Sequence, residues 1–551
     1  MAYLASGPGG QPILILKEGT QRSRGSEARS RNIEVAVIIA DALKSALGPR
    51  GMDKMLVDSL GDLTITNDGA KILEEMELEH PIGKMIKEAA KTQENTVGDG
   101  CTTATLLTGE LLQKSVALLD QKIHPTVIIS GFRNAERHVL KKLEELAIKV
   151  DLKDKETLRK VALTSMSSKT LGAVAKLFAD IAIEAVIQVA EKRGDTYYVD
   201  KDNIQIIKKE GKSLGETELV KGIILDKEVV HPGMPKRVEN AKIALVNSAL
   251  EVEKTEIDAE IRIRTPSNVK AFLDQEAKLI EKMVERVKSS GANVLICQKG
   301  IDDIAQYQLA KAGILAVRRA KESDMEKLAK ATGAEIVTSL EDLKPSDLGE
   351  AGLVEERKIG DDKMVFVENC KSPTAVSILI RAGLERMVEE AERAMNDAIS
   401  VVADVIQTPM IVAGGGAIEL ELARSLKTVA AKTGGREQLA IEAFSDALEV
   451  IPRTLAENAG HDPLDVMVAL RSVHEKEDGV YTGIDIASGK PVDMRSLGIY
   501  DPLKVKEQAI KTATELASMI LRIDDVIAAS KPKEEEKPKP PSPEGSGEEE
   551  F

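Results

Sequence analysis

The chain has no tryptophan, and only six tyrosines and six phenylalanines in 551 residues. Its cores must therefore be built from alanine, valine, isoleucine and leucine. Cysteine is scarce too. Cys101, Cys297 and Cys370 lie far apart without Cys-x-x-Cys spacing, which argues against a disulfide framework or a structural zinc site. No apolar run approaches the roughly 18 residues of a membrane-spanning helix, and no basic-then-apolar leader opens the sequence, so a cytoplasmic location is expected. A basic surplus is also missing. Lys and Arg number 76 against 91 Asp and Glu, a net charge of −15. That is the wrong sign for a general nucleic-acid binder.

What is present is apolar residues at 42% and charged residues of both signs at 30%. The chain is too long for one ordinary core, so several domains are expected. The mixed charge suits a helix-rich, heat-tolerant protein with surface ion-pair networks. Ile33, Val37, Ala40, Leu43 and Leu47 recur at helical spacing and predict a helix from about 26 to 47, stopped by Gly48-Pro49-Arg50-Gly51. Met55–Asp58 and Leu63–Thr66 predict a hairpin. Helices dominate to about residue 150. Residues 153–222 are helical and then strand-like. Residues 223–373 alternate short apolar strands with helices, an α/β signature. From 374 to about 530 the pattern is again helical. The tail Lys531–Phe551, with five prolines and seven glutamates, cannot bury enough to order itself.

Two aspartate-glycine loops stand out near the N-terminus. Gly98-Asp99-Gly100-Cys101-Thr102-Thr103 precedes an apolar helical run. Glycines admit phosphate to the backbone, and a helix N-terminus offers free N–H groups and a positive dipole end. An aspartate there is repelled by phosphate unless a cation bridges them, so Asp99 reads as a Mg²⁺ ligand. The loop lacks the lysine of a Walker A motif and the third glycine of a dinucleotide loop. Gly414-Gly415-Gly416 sits between a strand-like segment and a helix, again an anion-binding arrangement. Asp68, Asp397 and Asp501 are the further carboxylates that would complete a phosphate and metal site drawn from both ends of the chain. Each of these features has a plainer reading as a turn, a cap or a solvated residue.

Taken together, Leu47–Leu56, Thr66–Ala70, Gly98–Gly100, His231–Met234, Gly414–Ala417 and Glu457–Gly460 resemble the group II chaperonins, which include the archaeal thermosome and the eukaryotic cytosolic chaperonin. The resemblance runs from about residue 12 to 530. It implies a multidomain fold, mostly α with α/β: an equatorial ATP-binding domain (1–152 and 410–530), an intermediate hinge domain (153–222 and 374–409) and an apical substrate-binding domain (223–373) with a helical protrusion near 255–290 that serves as a built-in lid. It implies ATP and Mg²⁺ as ligands, with Asp99 on the metal and Asp68 and Asp397 positioning and activating the attacking water. Leu47, Gly48, Pro49, Gly100, Cys101, Thr102, Thr103 and Gly415 would line the nucleotide, Asp501 would contact the ribose, and Lys169 would sense the γ-phosphate.

The resemblance also implies a double ring of identical or paralogous subunits that takes up unfolded proteins without a separate co-chaperonin, membrane or nucleic acid. Cys101 departs from the family's usual threonine. A thiol facing phosphate would weaken binding, whereas one facing the helix core would change nothing. Ile406–Met410 replaces the family's usual Asp-Gly turn. Asp397, on the intermediate side, would reach the nucleotide only on hinge closure. The alternating segment 256–264 is the expected lid tip, and the helix from about 302 to 312 (Ile304, Gln306, Tyr307, Leu309) the expected client surface. Two other readings remain: a small-molecule phosphotransferase with a similar phosphate site, and a ring-forming holdase with weakened ATPase.

Overall fold

The computed structural model describes residues 3–6, 12–15 and 21–528, apart from 170, 195, 252–265 and 372–373. The expected lid tip and acidic tail lie outside the described residues. Three large apolar cores follow the composition shifts seen along the chain.

The first core joins the two ends. The helix Gly25–Lys44 buries Ala28, Ile33, Ala36, Ile39, Ala40 and Leu43 on one face, the stripe that its three-to-four spacing dictates. It packs on the helix Cys101–Asp120. Pro125–Leu146, Ala417–Thr433, Gly435–Leu448 and Leu503–Arg522 complete the bundle. Aromatic rings are few, and they are spent deep inside: Phe132, Phe178, Phe366 and Phe444 are among the largest fully buried side chains. Phe132 and Phe444 meet edge-on at 5.8 Å, so a contact worth about 0.5–1.5 kcal/mol beyond its area ties the N-terminal helices to the C-terminal ones.

The second core surrounds the helices Lys155–Ser165, Ala175–Val189 and Glu385–Gln407 and a three-stranded sheet. There Val376–Ala382 lies between Glu218–Val220 (antiparallel) and Ile204–Glu210 (parallel). The third core is a seven-stranded mixed sheet covered by helices. Arg237–Val246 pairs in parallel with Val294–Cys297, which pairs with Leu315–Val317, while Gly349–Ile359 and Asp362–Cys370 run antiparallel beside them. Val294–Cys297 is buried throughout, as a strand covered on both faces must be. The helix Pro266–Ser289 buries Ile280, Val284 and Val287 against this sheet's core. That length of the expected lid element therefore packs on its own domain.

The hairpin forms as Lys54–Val57 and Leu63–Thr66, with Met55 opposite Ile65. The first predicted helix ends at Lys44 rather than Leu47, because Ser45 to Gly51 turn back on themselves through Gly51 N–H to Gly48 O and Met52 N–H to Ser45 O. Asn458 caps this turn by donating through Nδ2 to Lys44 O (2.9 Å) and Leu47 O (2.8 Å). Asn458→Ala leaves both carbonyls without that donor and is expected to cost about 1–3 kcal/mol of stability, read by denaturant unfolding. An unchanged midpoint would contradict this role.

Candidate functional site

A short sheet brings the distant segments together. Met410–Ala413 pairs antiparallel with Ile148–Lys149 on one side and Tyr500–Pro502 on the other, with Val412 opposite Asp501. The Ile406–Met410 departure proves to be a tight helix-to-strand connection: the helix ends at Gln407, and Val150 N–H reaches Pro409 O at 3.0 Å. Asp501 thereby stands beside the triple glycine. Gly415 and Gly416 take positive φ and start the helix Ala417–Thr433.

These segments enclose a cavity of about 600 Å³. Leu47, Gly48, Pro49, Asp68, Asp99, Gly100, Cys101, Thr102, Thr103, Lys169, Asp397, Gly415 and Asp501 all line it. The lining divides by chemistry. Carboxylates, threonines and lysines form one part, while Ile451, Leu455, Ile484, Ile486, Leu497 and Ile499 form an apolar part, fit for a flat, weakly polar group.

Lys169 anchors the polar part. Its side chain is 3% exposed, and Nζ lies 3.0 Å from Asp68 Oδ2 and 3.5 Å from Asp397 Oδ2. Burial opposes the lysine's charge, but Asp397 and Asp68 outweigh it and raise its pKa. The two carboxylates share this cation unequally. Burial would push Asp68 up, yet Lys169, together with the Lys71 N–H that Asp68 accepts as helix cap at 2.9 Å, holds it below the ordinary range. Asp397 has the longer contact. Burial pushes it well above the usual carboxylate range, Lys169 opposes this, and the Asp68 and Asp99 charges add to the push. The two carboxylates are thus pushed in opposite directions, the kind of separation that acid–base chemistry uses.

The loop from Gly98 to Thr103 is fixed by close approach. A Cβ at Gly98, which has φ of +70°, would lie 2.1 Å from Ser400 Cβ, and one at Gly69 would lie 2.3 Å from Thr102 Oγ1. Glycine lets the helix carrying Asp397 and the helix start capped by Asp68 press against this loop. From the sequence, Asp397 is expected at the site only after hinge closure. In this structure it already lies at Lys169.

Asp99 Oδ1 accepts the Gly100 N–H at 2.6 Å. Burial raises its pKa to about 6, with the Gly100 N–H opposing and the Asp501 charge adding. Among the described residues no cluster of three or more His, Cys, Asp or Glu could hold a metal ion by itself. A lone, half-buried carboxylate without a contacting cation beside a helix N-terminus fits Mg²⁺ that takes its other ligands from phosphate and water.

Of the two orientations the sequence left open for the Cys101 thiol, the structure takes the helix-facing one: Cys101 lines the cavity, and its thiol donates to Ala90 O at 3.2 Å inside the helical core. Burial raises its pKa far above the usual thiol value. Cys101→Ala is therefore expected to change nucleotide affinity by less than about twofold, because no phosphate-facing donor is lost. A tenfold loss in equilibrium binding would restore the thiol to the site.

Sequence reasoning missed Asn67, Lys160, Lys506 and the apolar wall at 484–499. Asn67 donates to Ser168 O and so fastens the loop before Lys169 to the Asp68 turn. The available signal was adjacency: Asn67 stands next to Asp68, and Lys506 falls in the helix that follows Asp501. The apolar wall carried no signal beyond hydrophobicity.

Residues 39–531 match the TCP-1/cpn60 chaperonin family. The chain is 56% identical over 533 residues to a thermosome subunit beta of Sulfurisphaera tokodaii, covering 97% of each. It is 57% identical over 540 residues to a thermosome subunit alpha of Archaeoglobus fulgidus, covering 98% of each. It is 58% identical over 531 residues to a thermosome subunit beta of Thermococcus kodakarensis, covering 96% of each. With a cavity that gathers both chain ends around Lys169 and a likeness that spans nearly the whole length, the chain belongs to the TCP-1/cpn60 chaperonin family.

Proposed function

We propose that the chain is a subunit of a double-ring group II chaperonin that uses Mg-ATP binding and hydrolysis to enclose and fold unfolded proteins. The observation that carries this reading is the Lys169 bridge. It links Asp68, next to the first core, to Asp397, on the helix of the second core. A phosphate that reaches Lys169 competes with both carboxylates for its charge, so chemistry at the site is coupled to the joint between the cores.

In this reading the chain's own groups divide the work. The N–H groups and hydroxyls of Thr102 and Thr103 receive phosphate oxygens at the helix N-terminus. Gly415 supplies a second backbone approach. Asp99 would hold Mg²⁺, which would supply neutralisation of phosphate charge. Asp68 and Asp397 orient the attacking water, and Asp397, with its raised pKa, takes the proton. Lys169 leaves its carboxylates to meet the terminal phosphate. The apolar wall takes the base.

Residues 1–152 with 410–530 would act as the equatorial domain, 153–222 with 374–409 as the hinge, and 223–373 as the apical domain. The hairpin exposes Met55, Val57 and Leu60, and we assign it to contact with a neighbouring subunit by strand addition. On the helix Asp303–Lys311, Ile304 and Tyr307 are exposed while Gln306 and Leu309 are buried. Only the first two can therefore serve a client. No helix among the described residues is long and apolar enough to cross a membrane, and a cytoplasmic chamber is the setting we infer.

The test is the native mass of the purified chain with and without Mg-ATP, with phosphate release followed on the same sample. A ring-sized particle with slow, Mg-dependent turnover is expected. A ring without turnover would favour a holdase, and a small oligomer with a defined acceptor substrate would favour a phosphotransferase.

A further inference from the structure

The cavity wall holds a second buried cation that the scheme above leaves without a task. Lys506, on the helix Leu503–Arg522, lines the cavity and is 12% exposed. Its Nζ donates to Glu419 Oε1 at 2.7 Å and lies 2.9 Å from Asp501 Oδ2. Glu419 sits in the first turn of the helix Ala417–Thr433, with a side chain 3% exposed. Its Oε2 is buried without a hydrogen-bond partner. Lys506 is thus the one ion-pair partner of Glu419 among the described residues. The ammonium is pinned between a fully buried carboxylate and one that reaches the cavity.

This arrangement decides how Asp501 is presented. Its backbone is fixed by pairing with Val412. Oδ2 is drawn to Lys506 and stands beside Gly414, where a Cβ would approach it to 3.2 Å. Oδ1 has no partner among the described residues and remains as the acceptor that Asp501 offers the cavity. The position beside the glycine run places this acceptor next to the phosphate end, and the group that follows the phosphates in a nucleotide is the sugar.

We propose that Lys506, anchored by Glu419, is a positioning residue that fixes Asp501 as acceptor for a ribose hydroxyl, and so makes the cavity select ribonucleoside over deoxyribonucleoside triphosphates. The proposal rests on the nucleotide reading of the cavity. A charged acceptor held in one orientation rewards a hydroxyl donor more than a neutral or turning one does. A site built around such a donor leaves a buried acceptor unpaired when the donor is missing, which is how hydroxyl selectivity arises.

The experiment compares Mg complexes of ATP, 2′-deoxy-ATP and 3′-deoxy-ATP on the full, assembled chain, by equilibrium binding and by turnover. The native protein is expected to favour ATP over at least one deoxy analogue by about tenfold. The informative variant is Glu419→Gln with Lys506→Met. It removes both charges together, so no buried carboxylate is stranded by loss of its cation. It is expected to lower the ATP preference to less than about twofold, with the loss in KM rather than kcat. A merely structural role would weaken all three nucleotides alike and leave the ratio intact, and that result would overturn the proposal. So would a native protein without preference. If the double variant fails to assemble, the isosteric Glu419→Gln alone decides. The ratio should fall in the same direction, and an unchanged ratio overturns the proposal. A native protein that binds none of the three nucleotides would overturn the nucleotide reading itself, a separate result seen before any variant is made.

Discussion

Replacing Asp397 with alanine is expected to lower ATP turnover by about a hundredfold or more while leaving nucleotide affinity within about threefold, because on the proposed mechanism the variant loses the proton acceptor and keeps the groups assigned to phosphate. The structure supports this separation of effects. Asp397 lines the cavity and has Lys169, at 3.5 Å, as its one ion-pair partner among the described residues, whereas Asp68 has contacts both to Lys169 and to the Lys71 N–H. Removing Asp397 leaves Lys169 paired with Asp68, so the fold keeps its buried cation satisfied. Phosphate release at saturating ATP and equilibrium binding on the same preparation read the two quantities independently. Turnover at the native rate would remove Asp397 from the chemistry, and loss of binding would move it into the binding set.

Asp99→Ala is expected to behave differently, with a loss of at least about tenfold in affinity for the Mg-nucleotide together with loss of turnover. A pH series sharpens the assignment. Burial holds the Asp99 pKa near 6, and only the ionised carboxylate can hold a cation. Protonation therefore competes with metal as pH falls through 6. At pH 5 about one site in ten is ionised, so Mg-dependent affinity should be about tenfold weaker than at pH 7.5. The sign follows from the direction of the shift: an aspartate with an ordinary pKa would remain ionised across this window and add nothing to the pH dependence of the nucleotide's own terminal phosphate, which Asp99→Ala reports. Mg-nucleotide affinity measured calorimetrically at both pH values, in the native chain and in Asp99→Ala, tests this. A native profile no steeper than that of Asp99→Ala would contradict the placement of the metal at Asp99.

The local elements were legible because their signals are local. The stripe on Gly25–Lys44, the hairpin at Lys54–Thr66 and the helix beginning at Cys101 each follow from spacing and turn residues. The candidate site residues were legible as a set because their motifs recur together in one family order. What could not be read was direction. Whether the Cys101 thiol faces phosphate or helix depends on the rotation of one helix, and the structure turns it to Ala90 O. The tasks of Asn458 and Lys506 arise from contacts with segments far away in sequence, at Lys44 and Leu47 for one and at Glu419 for the other. No periodicity carries such pairings. The arrival of Asp397 at Lys169 depends likewise on how two cores sit at their joint, which a pattern along one chain does not specify.

The central claim is that the cavity joining both chain ends is a single Mg-ATP hydrolysis site spanning the joint between two cores. The most direct test is an experimental structure of the assembled chain trapped with Mg-ADP and a mimic of the transferred phosphoryl group. The account predicts density for the metal at the Asp99 carboxylate, the phosphoryl mimic between Thr102, Thr103 and Lys169, and a water held by Asp68 and Asp397. Nucleotide density elsewhere, or a metal held away from Asp99 with Asp397 turned from the mimic, would contradict it.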